Sequence, residues 1–279
     1  RRSGRSSSAI AVSSMRSAAE LTATAWVESL SPWPEEFGLG RMRALLAELG
    51  QPQRAFRSIH VVGTNGKSTA TRTVEELLRA EGLRVGAYLS PHVRGWSERI
   101  RIDGDEADFE RAVVRVRPAA ERVGATQFEV LTAAALLEFA EAGVDAAVVE
   151  AGLGGRHDAT NVLDAPVVLL TNIGLDHTDV LGSTRGQIAQ ENPAVVRPGA
   201  TVVLPDDEFA PVVSHARVIV GGAHEAAGAF LGREVRSVVE VTLPGRLDQR
   251  GEDELWDGAH NAEGAAWLAG RLPRRDYTI

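Results

Sequence analysis

The chain has 279 residues, of which 44% are hydrophobic, and a formal net charge of −8; that length suits one large domain, or one domain and part of another. An acidic balance with no basic run argues against a nucleic-acid partner. Apolar runs of strand length, such as Ala165–Leu170, argue against a membrane span. The absence of cysteine excludes a disulfide scaffold and a Cys-based zinc site, and it fits a cytoplasmic setting.

The opening residues, RRSGRSSSAIAVSS, are rich in Arg and Ser and lack acids. A transit peptide has this composition, but a flexible tail, or translated sequence upstream of a start at Met15, is the simpler reading. Residues 1–20 are therefore set aside as a disordered tail. Met42, Leu45, Leu46 and Leu49 then fall at helical spacing, and Gly50 and Pro52 stop that helix. Ile59 to Val62 reads as a short strand, Thr69 to Ala80 as a helix capped near Gly82, and Arg84 to Leu89 as a second strand. Residues 58 to 90 thus form one β-loop-α-β unit with a glycine turn at its first strand-to-helix junction.

The alternation continues. Phe128 to Ala142 reads as a helix closed by Gly143, Ala146 to Val149 and Val167 to Thr171 as buried parallel strands, Arg185 to Gln190 as a short helix, and Thr201 to Leu204 as a strand. Strands alternating with helices predict an α/β fold, a doubly wound and mainly parallel sheet carrying a phosphate loop, over residues 21–240. From 241 a smaller unit begins. Leu255-Trp256 resembles a strand end, Asp257-Gly258 a turn and Asn261 to Leu272 a helix, and Tyr277 to Ile279 starts another strand. This β-α pair is too small to be a domain, so 241–279 reads as an incomplete C-terminal domain.

The chemistry concentrates in Gly63-Thr64-Asn65-Gly66-Lys67-Ser68-Thr69. Glycines let the chain turn so that N–H groups face an anion, and the following helix adds its positive end. Lys67 reaches outer phosphates, and Ser68 or Thr69 can meet Mg²⁺. The usual phosphate loop has another glycine where this chain has Val61, and an ordinary glycine turn is the alternative reading. Glu150, Asp176-His177 and Ser90-Pro91-His92 all follow strands, and the carboxyl ends of parallel strands form the ligand crevice of open α/β sheets. A carboxylate, an imidazole and a hydroxyl there suit a hard cation shared with phosphate oxygens. Arg156 to Asn161 reads as a solvated turn, and Trp26, Trp33 and Trp96 as packing or loop anchors. Pro244-Gly245-Arg246 is either a hinge that offers Arg246 to a phosphate or a plain turn with an exposed arginine.

Together these segments resemble the folylpolyglutamate synthase/dihydrofolate synthase family of the Mur ligase superfamily. The matching stretches run in the family's order. They are Phe37 to Met42, Ile59 to Thr69, Ser90-Pro91-His92, Glu98-Arg99-Ile100, Phe128-Glu129 with Thr132-Ala133, Glu150 to Asn161, Leu175-Asp176-His177, Pro244-Gly245-Arg246 and Asp257 to Asn261. The resemblance implies a Mur ligase central domain followed by a Rossmann-like C-terminal domain, in a monomer. It implies an ATP- and Mg²⁺-dependent ligase in which a carboxylate of dihydropteroate or of a folate glutamate tail becomes an acyl phosphate, and L-glutamate then attacks it. Lys67 would neutralise the transferring phosphoryl group. By the same resemblance Ser90, Glu150 and His177 would hold Mg²⁺, with His177 and Lys67 in the catalytic centre. Gly63 to Thr69, Arg246, Asp257 and His260 would bind nucleotide.

Three departures stand out. Ser68 replaces the glycine that the family carries after the lysine, as in other Mur ligases. Asn192 stands where the family has a carbamylated lysine that ligates a second Mg²⁺, and it offers one neutral carbonyl oxygen in place of a negative ligand. The stretch between Leu204 and Pro244 is shorter than the family's, and the C-terminal domain stops soon after Asn261. Two other readings therefore stand beside the ligase: a degenerate ATP/Mg²⁺-binding protein, and a Mur ligase of a cell-wall precursor. The Ser90-Pro91-His92 and Asp257 to Asn261 patterns argue against the second.

Overall fold

A computed structural model of the chain describes residues 22–174 and 184–272. The tail at 1–20, the segment Leu175-Asp176-His177 and the strand expected at Tyr277 to Ile279 lie outside the described residues.

The centre is a sheet of eight strands: β1 (Arg57–Val62), β2 (Val85–Tyr88), β3 (Ile100–Ile102), β4 (Asp105–Glu106), β5 (Ala146–Glu150), β6 (Val167–Leu170), β7 (Thr201–Leu204) and β8 (Arg217–Val220), in the spatial order β4-β3-β2-β5-β1-β6-β7-β8. Strands β2, β5, β1, β6, β7 and β8 are parallel, and β3 and β4 extend the sheet antiparallel. The doubly wound, mainly parallel sheet is as expected.

Helices cover both faces. Against one face lie α1 (Ala23–Ser29), α2 (Gly40–Glu48), α4 (Phe109–Val123) and α5 (Gln127–Ala142), and against the other α3 (Lys67–Ala80) and a helix at Ala223–Leu231. The strands read as unbroken apolar runs because alternate residues feed different layers. Ala147 and Val149 of β5 pack with α4 and α5, whereas Ala146 and Val148 pack with α3. A third cluster joins β6 and β7 to α6 (Arg185–Glu191) and the turn after it. The helix Ala223–Leu231 is numbered α7.

The central elements match their expected spans to within a residue or two. Gly143 closes α5 in the left-handed region with φ 62°, as its position after the helix predicted. Helix α4 is not evident from the sequence because it carries Pro118 in its interior, through which it nevertheless runs unbroken. Its cost is limited, because only one intrahelical bond is lost and Val114, one turn earlier, is exposed.

The C-terminal unit differs in detail from expectation. Leu255–Trp256 (β10) is one arm of an antiparallel pair with Asp248–Gln249 (β9). Its helix, α8, runs over Ala262–Ala269, shorter than Asn261 to Leu272, because Asn261 is its cap and accepts from Gly264 N at 2.8 Å.

Candidate active site

Four parallel strands deliver the site from one edge of the sheet. β1 runs into the phosphate loop, β2 into Ser90, β5 ends on Glu150, and β6 leads to Thr171 and Asn172. The loop turns on two glycines. Gly63 has φ 131°, and a Cβ there would lie 2.3 Å from Thr171 Oγ1 and 2.9 Å from Asn172 O. Gly66 has φ 79° and opens α3. Asn172 clamps the loop from below: its carbonyl accepts from Thr64 N at 3.2 Å and its Oδ1 from Asn65 N at 2.7 Å. Asn172 carries no signal in the sequence beyond its place after a strand.

Lys67 donates to the carbonyls of Gly63 at 2.9 Å and Thr64 at 3.1 Å, folding its ammonium back over the loop. Ser68 is buried and donates to Glu150 Oε1 at 2.9 Å, whereas Thr69 is exposed. Of the two hydroxyls, that of Ser68 therefore lies beside Glu150. Ser90 N donates to Glu150 Oε2 at 3.1 Å, and Ser68 Oγ stands 3.5 Å from Ser90 O. Glu150 is 1% exposed. Burial pushes its carboxyl up to about 7, against the pull of Lys67, the Ser90 N–H, Ser68 and Arg246.

The Glu150 carboxylate and the Ser68 hydroxyl beside it are hard oxygen donors of the kind Mg²⁺ takes, while the Lys67 ammonium, itself a cation, suits phosphate oxygens instead. Among the described residues no three His, Cys, Asp or Glu groups gather as a metal cluster. Glu150 is the carboxylate that Ser68 and Ser90 contact, and His177 lies outside the described residues.

The loop after Ser90 is held by Glu98, whose carboxylate accepts from Val93 N, Arg94 N and Gly95 N at 2.6–3.1 Å. Arg99 donates to His92 Nδ1 at 2.9 Å, and Trp96 packs 4.4 Å from the His92 ring. Trp96 and the 6%-exposed Trp26 are thus anchors, as expected. Trp33 stands apart: at 52% exposed it walls a cavity of about 140 Å³ with Phe37, Phe128, Glu129, Leu153 and Asp158. This cavity is assembled from four separate segments, Glu191 supplying the fourth, so no single stretch of sequence announces it. Asp158 accepts from Leu153 N and Thr160 N, and burial raises its carboxyl. The Arg156 to Asn161 segment, expected to be a solvated turn, is instead buried from Asp158 to Asn161.

The C-terminal unit reaches the phosphate loop through Asn261. Its side-chain amide and that of Asn65 bond reciprocally, Asn261 Nδ2 to Asn65 Oδ1 at 2.9 Å and Asn65 Nδ2 to Asn261 Oδ1 at 3.3 Å. Asn172 Nδ2 donates to Glu263 at 3.3 Å. Arg246 is half-buried and donates to Gly245 O at 2.9 Å. Both oxygens of Asp257 are engaged by backbone, from Leu247 N at 2.9 Å and Ala259 N at 2.8 Å, so Asp257 shapes the turn between these segments. His260 is exposed, with Nδ1 2.8 Å from Gly258 O.

Asn192 is 1% exposed and lies behind the glycine loop that follows Glu150; a Cβ on Gly155 would meet its carbonyl oxygen at 2.4 Å. Its Nδ2 donates to Ile188 O at 3.3 Å, while its Oδ1 is buried without a donor.

Comparison with known proteins follows the same lines. The Mur ligase middle domain is matched over residues 61–227. The chain is 33% identical to the dihydrofolate synthase/folylpolyglutamate synthase of Mycobacterium tuberculosis, across 86% of this chain and 68% of that protein. It is 35% identical to the enzyme of the same name from Bacillus subtilis, across 69% of this chain, and spans 48% of that relative's length. The structure of Escherichia coli FolC in complex with DHPP and ADP superposes with a TM-score of 0.80 at 30% identity, over 92% of this chain and 75% of that one.

Proposed function

The chain belongs to the dihydrofolate synthase/folylpolyglutamate synthase family of Mur ligases, and from that premise we propose that it joins L-glutamate to dihydropteroate or to a folate glutamate tail, with ATP as co-substrate. The observation that carries this reading is the convergence of Lys67, Ser68, Ser90 and Glu150 at the carboxyl ends of three adjacent strands.

In the proposed reaction the γ-phosphoryl group passes to the substrate carboxylate and ADP leaves. The glutamate amine then attacks the acyl carbon, the C–N bond forms, and the bond to phosphate breaks, with the amine proton passing to solvent. Lys67 exchanges the carbonyls of Gly63 and Thr64 for phosphate oxygens, while Gly63 to Thr69 present backbone N–H groups. Ser68, Ser90 and Glu150, with His177 by family resemblance, would hold Mg²⁺. When bound, that ion neutralises phosphate charge. Arg246, Asp257 and His260 would approach the nucleotide from the unit we assign to a second ligase domain, residues 241–279, beside a first domain of 21–240. The cavity walled by Trp33, Phe37 and Phe128 suits a flat heterocycle, with Asp158 as acceptor for its N–H groups. Among the described residues no helix is long and apolar enough to cross a membrane.

The buried, donorless Oδ1 of Asn192 favours a second reading, in which the chain binds nucleotide but does not ligate. Mass spectrometry after incubation with ATP, Mg²⁺, L-glutamate and dihydropteroate or a reduced folate separates the two. A product heavier by one glutamyl unit establishes the ligase. Retained ADP binding with no product establishes the second reading.

A further inference from the structure

A second cavity, of about 650 Å³, opens at the opposite edge of the sheet and is lined by Arg43, Gln53, Arg54, Asn161, Asp164 and Arg197, among others. Arg54 precedes β1, Asn161 to Asp164 precede β6, and Arg197 precedes β7, so this cavity faces the amino ends of the strands whose carboxyl ends carry the phosphate loop. The six residues of β1 separate the two places by about 20 Å, at about 3.3 Å per residue.

The charge here runs against the rest of the molecule. In a chain of net charge −8, the cavity gathers three guanidinium groups against one carboxylate, that of Asp164. Most arginines elsewhere sit beside acids, as in Arg72 with Glu75 and Glu76, or Arg111 and Arg115 with Glu138. Among the described residues the guanidinium groups of Arg43 and Arg54 have neither an ion-pair nor a hydrogen-bond partner, although each backbone N–H is bonded within its own turn. Arg197 is held in place from one side: its Nη2 donates to Asn161 O at 3.0 Å and to Asn161 Oδ1 at 2.8 Å. Asn161 is itself 4% exposed and tied by its Nδ2 to Arg156 O at 2.9 Å. The cavity therefore has a buried polar anchor as well as cationic walls. A second feature points to an occupant: Oε1 of Gln53 is buried with no donor, although its Nε2 is used by Gln51. Such an acceptor calls for a partner carrying O–H or N–H.

We propose that this cavity is a binding site, separate from the nucleotide site, for a small polyanion that also carries a hydroxyl or N–H donor. Guanidinium forks pair bidentately with carboxylate or phosphate oxygens, and the volume falls in the range of small-ligand sites. The two sources of such charge, polycarboxylates and phosphorylated metabolites, share this chemistry. Their occupancy would also bear on Arg197 and Asn161, and through Thr160 on Asp158 in the aromatic cavity.

The test is calorimetric titration of citrate and, separately, fructose 1,6-bisphosphate into the Lys67→Ala protein, which silences the phosphate loop. Citrate carries three carboxylates and a hydroxyl, and the bisphosphate carries two phosphates and several hydroxyls. At least one probe is expected to bind. The Arg43→Ala/Arg54→Ala pair should weaken it about tenfold or more, the range for charge-assisted bonds, while Arg236→Ala leaves it unchanged. Both Arg43 and Arg54 are exposed, so the double variant should fold, and its melting temperature checks that. Binding by citrate alone or by the bisphosphate alone identifies the source of charge. No binding by either probe, or equal binding by the double variant, overturns the proposal.

Discussion

His60 offers a direct check on the buried polar layer beneath the phosphate loop. It lies on β1, is 1% exposed, and its Nε2 stands 2.8 Å from Thr160 Oγ1. Thr160 in turn hydrogen-bonds Asp158. Burial first, and the charge of Arg197 second, lower the imidazole from 6.5 to about 3. The unfolded chain therefore takes up a proton at His60 as pH falls below 6.5, and the folded chain does not. This contribution to stability is complete above pH 6.5 and is lost progressively as pH falls toward 3. At about 1.4 kcal/mol per pH unit, the loss between pH 7 and pH 5 comes to about 2 kcal/mol. His60→Gln keeps a polar group near Thr160 but cannot titrate. Urea unfolding of both proteins at pH 7 and pH 5 gives two drops in stability, and the difference between them isolates His60, because the carboxylates are common to both. The wild-type drop should be larger by about 2 kcal/mol. Equal drops would mean that His60 is protonated in the fold, and the picture of a neutral, dry layer would fail.

Two further outcomes concern the metal set and its missing member. For Glu150, whose carboxyl is raised to about 7, the ionised form is disfavoured by the fold, so stability without metal is lost as pH rises from about 4.5 to 7. Glu150→Gln should raise the melting temperature in EDTA at pH 8, make no such gain at pH 4.5, and abolish any stabilisation by Mg²⁺; a variant that still melts higher with Mg²⁺ would place the metal elsewhere. Asn192→Lys should raise Mg²⁺ affinity or turnover, measured by titration and by glutamyl-product formation, and no change in either would show that Asn192 is not what limits the site.

The amino-acid order alone indicated the β-loop-α-β unit around Lys67, the parallel strands β1, β2, β5, β6 and β7, and the helices α2, α3, α5 and α6, but not β8, α1, α4 or α7. The features it indicated are local matters. Glycines at 63 and 66 serve a turn that few other residues can make, and buried parallel strands show as short unbroken apolar runs. It also singled out Ser90 and Glu150, since ligands gather where parallel strands end. It named Ser68 or Thr69 as the hydroxyl for Mg²⁺ without choosing; the helical rotation of α3 buries Ser68 beside Glu150 and leaves Thr69 exposed. Helix α4 was masked by Pro118, because local propensity says nothing of the core that Val113 and Val116 enter. Only the tertiary structure brought Trp33, Phe128 and Asp158 to one cavity, Asn261 to Asn65 across 196 residues, and three arginines to the far edge of the sheet. The physical reason is the same for each. A turn or a strand is specified by neighbours a few residues away, whereas a cavity or a clamp depends on strand order, and strand order is set by how whole faces bury one another.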